Sequence, residues 1–169
     1  MLFTTHSIVG AAVGVATGNP ALGFAIGFLS HHVLDSIPHF DQGSFYISRQ
    51  RAPYLGKFAE SERDGFNGRD WVMLIIDMFL AITAFSLILF LNPQKSWLLI
   101  LAGALGGLMP DIIGSSPLWS KKMAEKIKLA GVYRKFHSFF HWTVVSRKFY
   151  WGLVTQAILI AGSILFLIK

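Results

Sequence analysis

All six histidines of this chain fall in three short clusters. These are Thr5-His6-Ser7, the run from His31 to Asp41 (His31-His32-Val33-Leu34-Asp35-Ser36-Ile37-Pro38-His39-Phe40-Asp41), and His137-Ser138-Phe139-Phe140-His141. Residues four apart share one face of a helix, so His31, Asp35 and His39 can present nitrogen, oxygen and nitrogen donors together, and His137 with His141 can aim two imidazoles at one ion. His32 also lies near Asp35, but it is the weakest member because His31 already completes the spacing. With no cysteine in the chain, any metal must be held by imidazole and carboxylate, a donor set that suits Zn first and also Mn or Fe. Two further carboxylates, Asp77 and Asp111, sit inside apolar runs, where an unpaired charge is costly and therefore points to function. A single histidine such as His6, taken alone, is read more simply as a hydrogen-bonded core residue. Packing does not explain all the histidines and four of the aspartates gathered at one predicted depth in so apolar a chain.

The elements that must hold these residues follow from hydropathy. The chain of 169 residues is 53% hydrophobic and only 14% charged, with a mean hydropathy of +0.53, too apolar for an ordinary soluble domain. Trp71 to Leu91, Trp97 to Ile113 and Tyr150 to Ile168 are each long enough to cross hydrocarbon as a helix. The turn at Leu91-Asn92-Pro93-Gln94 makes the first two an antiparallel pair. The apolar stretch from Ile8 to Leu34 is interrupted by Gly18-Asn19-Pro20, a strong turn signal, so it reads as a helical hairpin with arms near 5–17 and 20–37. Each arm is short for a full span, which favours a re-entrant or protein-buried hairpin. This turn also matters for chemistry, because it folds His6 back to the level of His31 and Asp35. Gly10, Gly14, Gly23 and Gly27 recur at spacing four, a small-residue stripe that permits close helix approach.

No Lys or Arg precedes the first apolar run, so the expectation is that no cleavable signal peptide is present. Thirteen of the 15 Lys and Arg lie in two stretches, roughly 42–70 and 114–149. The positive-inside tendency places both in the cytoplasm and the histidine clusters at the cytoplasmic face. Within the second stretch, Ser116-Pro117 reads as a helix start and Gly131 as a stop. Trp119, Met123 and Ile127 are four apart, with Lys121, Lys122, Lys126 and Lys128 mostly on other faces, so the segment reads as an interfacial amphipathic helix lying along anionic headgroups. No linker or repeat divides the chain. The expected architecture is a single all-α domain over residues 1–169: a polytopic membrane helical bundle with an N-terminal hairpin, three spanning helices and one interfacial helix.

At Thr5-His6, Gly18-Asn19-Pro20, Ser30-His31-(x3)-Asp35-(x2)-Pro38-His39-Phe40-Asp41, Gly107-Leu108-Met109-Pro110-Asp111 and His137-(x3)-His141, the sequence resembles the bacterial family of predicted membrane-bound metal-dependent hydrolases. That family is more loosely similar to zinc-dependent phospholipase C. The resemblance covers nearly the whole chain and implies metal ligation by His31, Asp35, Asp111, His137 and His141, with His6, His39, Asp41 and Asp77 as further site residues. The sequence departs from the His-Arg-Gly-x-Thr-His element frequent in those proteins, since His137 and His141 are one residue closer.

The leading expectation is therefore a hydrolase with two or three divalent ions in the cytoplasmic membrane, acting on a lipid or lipid-linked phosphoester through metal-activated water. Asp41 or Asp77 is the candidate general base, and Arg134 and Lys135 are candidates to meet a phosphate. Metal or proton transport is the alternative from another class, but Ala81–Leu91 and Gln156–Ile168 carry no ionisable side chain to continue a polar path. A regulatory, DNA-associated role is weaker still: five bases against four acids in residues 42–70 is a poor electrostatic footprint, and no specific nucleic-acid partner is expected.

Overall fold

Gly18 adopts a left-handed φ of 61° and returns its N–H to the Val15 carbonyl, ending helix α1 (Phe3–Thr17). The Asn19 side chain accepts hydrogen bonds from the amides of Ala21 and Leu22, and Pro20 fills the first turn, starting helix α2 (Pro20–Asp35). Stop, cap and start occupy three consecutive residues, which is why an apolar stretch long enough to span folds into a hairpin instead. The computed structural model describes residues 1–41, 68–144 and 149–169. Most of the first basic stretch, 42–70, thus lies outside the described residues.

Helices α3 (Gly68–Leu91), α4 (Trp97–Gly114) and α7 (Phe149–Leu167) are long and apolar enough to cross a membrane, and the chain is a membrane protein. Their bounds match the three expected spans closely. Large apolar side chains on α3 and α7 face outward, among them Phe79 at 68% and Ile158 at 66% exposed, as lipid-facing helices require. Among the described residues there is no strand.

Helix α4 is the axis of the bundle, with α1 and α2 packed directly on it. The fit depends on glycine on both sides of the contact. A Cβ on Gly103 would strike the Gly10 carbonyl and lie 2.7 Å from Gly14 Cα, and one on Gly27 would lie 2.7 Å from the Gly103 carbonyl oxygen. Sequence spacing picked out the glycines of α1 and α2; their counterparts Gly103, Gly106 and Gly107 on α4 complete the interface. At the end of the bundle away from the histidines, Ile8, Ala11, Ala12, Ile88, Ile100, Ala104 and Leu167 form the apolar core.

The segment expected to be one interfacial helix is two. Helix α5 (Ser120–Lys126) stops at Ile127, whose backbone is extended at φ −124° and ψ 109°, and α6 (Lys128–Phe140) starts immediately after. Gly131 is no stop signal but an interior residue of α6. Its missing side chain lets α6 fold back on α5, since a Cβ there would sit 3.2 Å from the Ala124 carbonyl oxygen. The exposed apolar residues of α6, Leu129, Val132, Phe136 and Phe139, recur at helical spacing on one face.

Candidate metal centre

The N-terminal part of α1, the C-terminal ends of α2, α4 and α6, and the segments after α2 and α6 meet at one end of the bundle. There they bury His6, His31, Asp35, His39, Asp41, Asp111 and His137 among the described residues. Burying so many ionisable groups together is tolerable only if they pair with one another or with a cation.

Four of them close around a point. The Nε2 atoms of His31 and His137 are 3.0 Å apart. Asp35 Oδ2 lies 3.1 Å from the first and 3.6 Å from the second, and Asp111 Oδ1 lies 3.7 and 3.4 Å from them. Four ligands ~2.0–2.1 Å from a zinc ion in a tetrahedron would be separated by roughly 3.3–3.4 Å, so the donor atoms already stand near the edges of that polyhedron. Ring orientation agrees. His31 Nδ1 is 2.7 Å from the Gly107 carbonyl oxygen, which can only accept. Nδ1 therefore carries the proton, and in the neutral ring Nε2 keeps its lone pair for a metal. Gly114 makes room for the His137 ring, which comes within 3.1 Å of where a Cβ would stand.

A second group shares a member with the first: Asp35, His39 and His141 also bring ligand atoms together. Asp35 Oδ2 is 3.4 Å from His141 Nε2, and Asp35 Oδ1 is 3.9 Å from His39 Nε2. His39 Nδ1 donates to the Ile37 carbonyl at 2.8 Å, which again leaves Nε2 as the ligand nitrogen. Asp41 Oδ2 lies 3.4 Å from His39 Nε2 and 3.4 Å from His141 Nδ1. It also accepts from the Thr143 hydroxyl. The arrangement at His141, a carboxylate on one ring nitrogen and a ligand group on the other, is the usual outer-shell support of a metal-binding histidine. Burial pushes the His141 imidazole down to about 3, keeping it neutral as a ligand must be. Burial works against ionisation of Asp41, but its surroundings, His39 and His141 foremost among them, together hold the carboxyl well below the usual carboxylate range.

The irregular segments are pinned by backbone pairing and by α7. The Trp142 amide donates to the Asp35 carbonyl, His39 pairs with the 142–144 segment through two backbone hydrogen bonds, and Gln156 of α7 donates to the Phe40 carbonyl at 2.9 Å. The Gln156 carbonyl oxygen accepts from the Leu2 amide and the Thr5 hydroxyl. Gln156 and Thr143 escaped sequence reasoning. A lone amide in an otherwise apolar span was the available signal for Gln156, and Thr143 offered none.

The other expected site residues are placed differently. His6 stacks on His31 with ring centroids 3.8 Å apart and points Nε2 at Asp35 Oδ1, 3.2 Å away, and at Asp111 Oδ2, 4.0 Å away. It borders the first group from outside. The Met1 amino group donates to Asp35 Oδ1 at 2.7 Å. Asp77 does not join either group: its Oδ2 accepts from the Phe3 amide at 2.7 Å and its Oδ1 from the Thr4 amide and hydroxyl at 3.1 and 2.7 Å. It acts across the bundle as a cap on the first turn of α1, where amides have no partner within the helix. On α6, Arg134 shares the face of His137, one turn on, while Lys135 is exposed to the side; His141, expected to pair with His137 on that face, lies just past the helix end and joins the other group. No family model, curated protein or solved structure matches this chain.

Proposed function

We propose that this chain is a membrane-bound metal-dependent hydrolase that holds two divalent ions, zinc by preference, and cleaves a lipid or lipid-linked phosphoester at the cytoplasmic face of the membrane. The observation that carries the reading is Asp35, a buried carboxylate common to two sets of nitrogen donors, in each of which one histidine, His31 or His39, has a tautomer that leaves the lone pair on the nitrogen nearest it. When bound, divalent ions supply acidification of a water molecule and neutralisation of negative charge that builds up at phosphorus. The protein's own groups do the rest. Asp41, between His39 and His141, is placed to accept the proton, and it is preferred to Asp77, whose oxygens are engaged by α1. Arg134, one turn before His137 on α6, would bind two phosphate oxygens bidentately, with Lys135 adding charge at the rim. The site lies at one end of the spanning helices beside the exposed apolar face of α6, which suits a substrate whose acyl chains stay in the bilayer.

Purified protein in liposomes, given a panel of lipid and soluble phosphoesters, tests the reading. Turnover is expected that a chelator abolishes and that Zn or Mn restores, and that Asp35→Asn reduces by orders of magnitude without loss of membrane insertion. No turnover on any member of the panel, together with metal- or proton-dependent flux across the same liposomes, overturns hydrolysis in favour of transport. The orientation has its own assay, because the chain has no cysteine. Single cysteines at Gln94 and Lys122 should lie on opposite sides, with Lys122 protected from an impermeant reagent in intact cells; labelling on the same side refutes the topology.

A further inference from the structure

Beside the first ligand group stands a pair of polar side chains that find no hydrogen-bond partner among the described residues. His32 is only 5% exposed, yet among the described residues neither of its ring nitrogens has a hydrogen bond, and the buried hydroxyl of Tyr133 has none either. Their rings are 6.2 Å apart and walled by Phe28, Phe136 and Phe140. Both touch the ligand imidazoles: His32 lies 5.4 Å from His31 and 5.7 Å from His137, and Tyr133 stacks on His137 at 6.3 Å, centroid to centroid.

A buried imidazole and a buried phenol left without hydrogen bonds both destabilise the folded chain, because each loses its bonds to water and gains nothing in return. Phenylalanine at both positions would pack among the same aromatic rings without that cost. Polar groups kept at such a cost next to a candidate site are groups held in readiness for a ligand. A neutral histidine offers one N–H donor and tyrosine one O–H donor, so the pair is suited to an oxygen that carries negative charge. We infer that His32 and Tyr133 form an oxyanion subsite adjoining the His31, Asp35, Asp111 and His137 group, and that their N–H and O–H donate to a phosphoryl oxygen of the bound substrate. This rests on the metal-dependent phosphoesterase reading, and it gives a binding role to a histidine whose sequence spacing made it the weakest member of its cluster.

The test uses the full chain in lipid nanodiscs, loaded with zinc and freed of excess, with inorganic phosphate as the probe and calorimetry as the readout. Metal content is measured on the same samples. Tyr133→Phe and His32→Phe should each weaken phosphate binding about tenfold, a loss of roughly 1.4 kcal/mol, with zinc at the wild-type level. His32→Gln, which keeps a donor, should recover part of the affinity. Unfolding of the metal-free variants discriminates further: a ligand role predicts midpoints equal to or above wild type, since an unpaired buried polar atom has been removed. Unchanged phosphate affinity in both phenylalanine variants, or lower midpoints for them, overturns the inference while the metal reading stands. Loss of zinc in His32→Phe makes His32 a ligand and likewise overturns it. A wild type that binds no zinc, or zinc but no phosphate, removes the inference too, and the metal measurement tells which reading has failed.

Discussion

Replacing Asp35 by asparagine changes no shape and removes one charge, yet its effect should differ in kind from that of any other ligand substitution. The two Asp35 oxygens face five imidazoles at 3.1 to 3.9 Å, and the residue belongs to both ligand groups. Without its charge the group of His39 and His141 keeps only two ligands and should empty. The group of His31, Asp111 and His137 keeps three and should weaken by more than the ~10–100-fold that loss of mere outer-shell support costs. Asp111→Asn, by contrast, touches only the first group and His39→Ala only the second. Elemental analysis after dialysis against a mild chelator should therefore find two metal equivalents in the wild type, one in Asp111→Asn, one in His39→Ala, and fewer than one in Asp35→Asn. Stability should follow occupancy. At free metal about 100 times the dissociation constant each ion contributes about 2.7 kcal/mol, so loss of both should lower the unfolding midpoint by roughly 10–20 °C in a chain of this size. If Asp35→Asn retains as much metal as Asp111→Asn, Asp35 is not shared and the two-ion centre is wrong.

Gly103→Ala should destabilise the detergent-solubilised protein by about 1–3 kcal/mol or more, because its Cβ meets the backbone of α1. Gly162→Ala, with nothing within 4 Å of its Cβ, should leave the unfolding midpoint unchanged, and equal effects would refute the close glycine packing of α1 on α4. Asp77→Ala should cost about 0.5–2 kcal/mol through loss of the cap on α1 while metal content stays at two equivalents; loss of metal would place Asp77 in the centre after all. In the metal-free protein, an unfolded imidazole titrates near 6.5 whereas burial holds His141 near 3, so the unfolded chain takes up the proton first. The stability due to neutral His141 is then complete above pH 6.5 and is lost as pH falls towards 3. Unfolding measured at pH 7.5 and pH 5 should show this loss, and His141→Gln should reduce it; an equal loss in the variant would assign it to other groups.

Much of this was legible in the residues themselves. Spans of hydrophobic length announce membrane helices because the bilayer tolerates no unsatisfied backbone, and α3, α4 and α7 fall within a few residues of their sequence-derived bounds. Gly18-Asn19-Pro20 announces the hairpin because each residue there has a local conformational reason that no distant contact needs to supply. The i, i+4 pair of His31 and Asp35 survives for the same reason, being set by helical geometry alone, whereas His141 lies just past the end of α6 in extended backbone and joins the second group while His137 joins the first.

What needed the tertiary structure is everything that depends on a partner far along the chain. Asp77 and Asp111 look alike in sequence, each a carboxylate in an apolar run, yet one caps α1 and the other faces His31 and His137. Only the packing of α1 between α3 and α4 separates them. Asp35 as the member common to two ligand groups is likewise invisible in spacing, since one group is completed by α4 and α6 and the other by segments pinned against α7. The sequence by itself determines which donors exist and which local faces they share, because those follow from backbone geometry over a few residues. Which donors meet is decided by long-range packing, where the glycines of α1, α2 and α4 bring three backbones close enough for their side chains to converge.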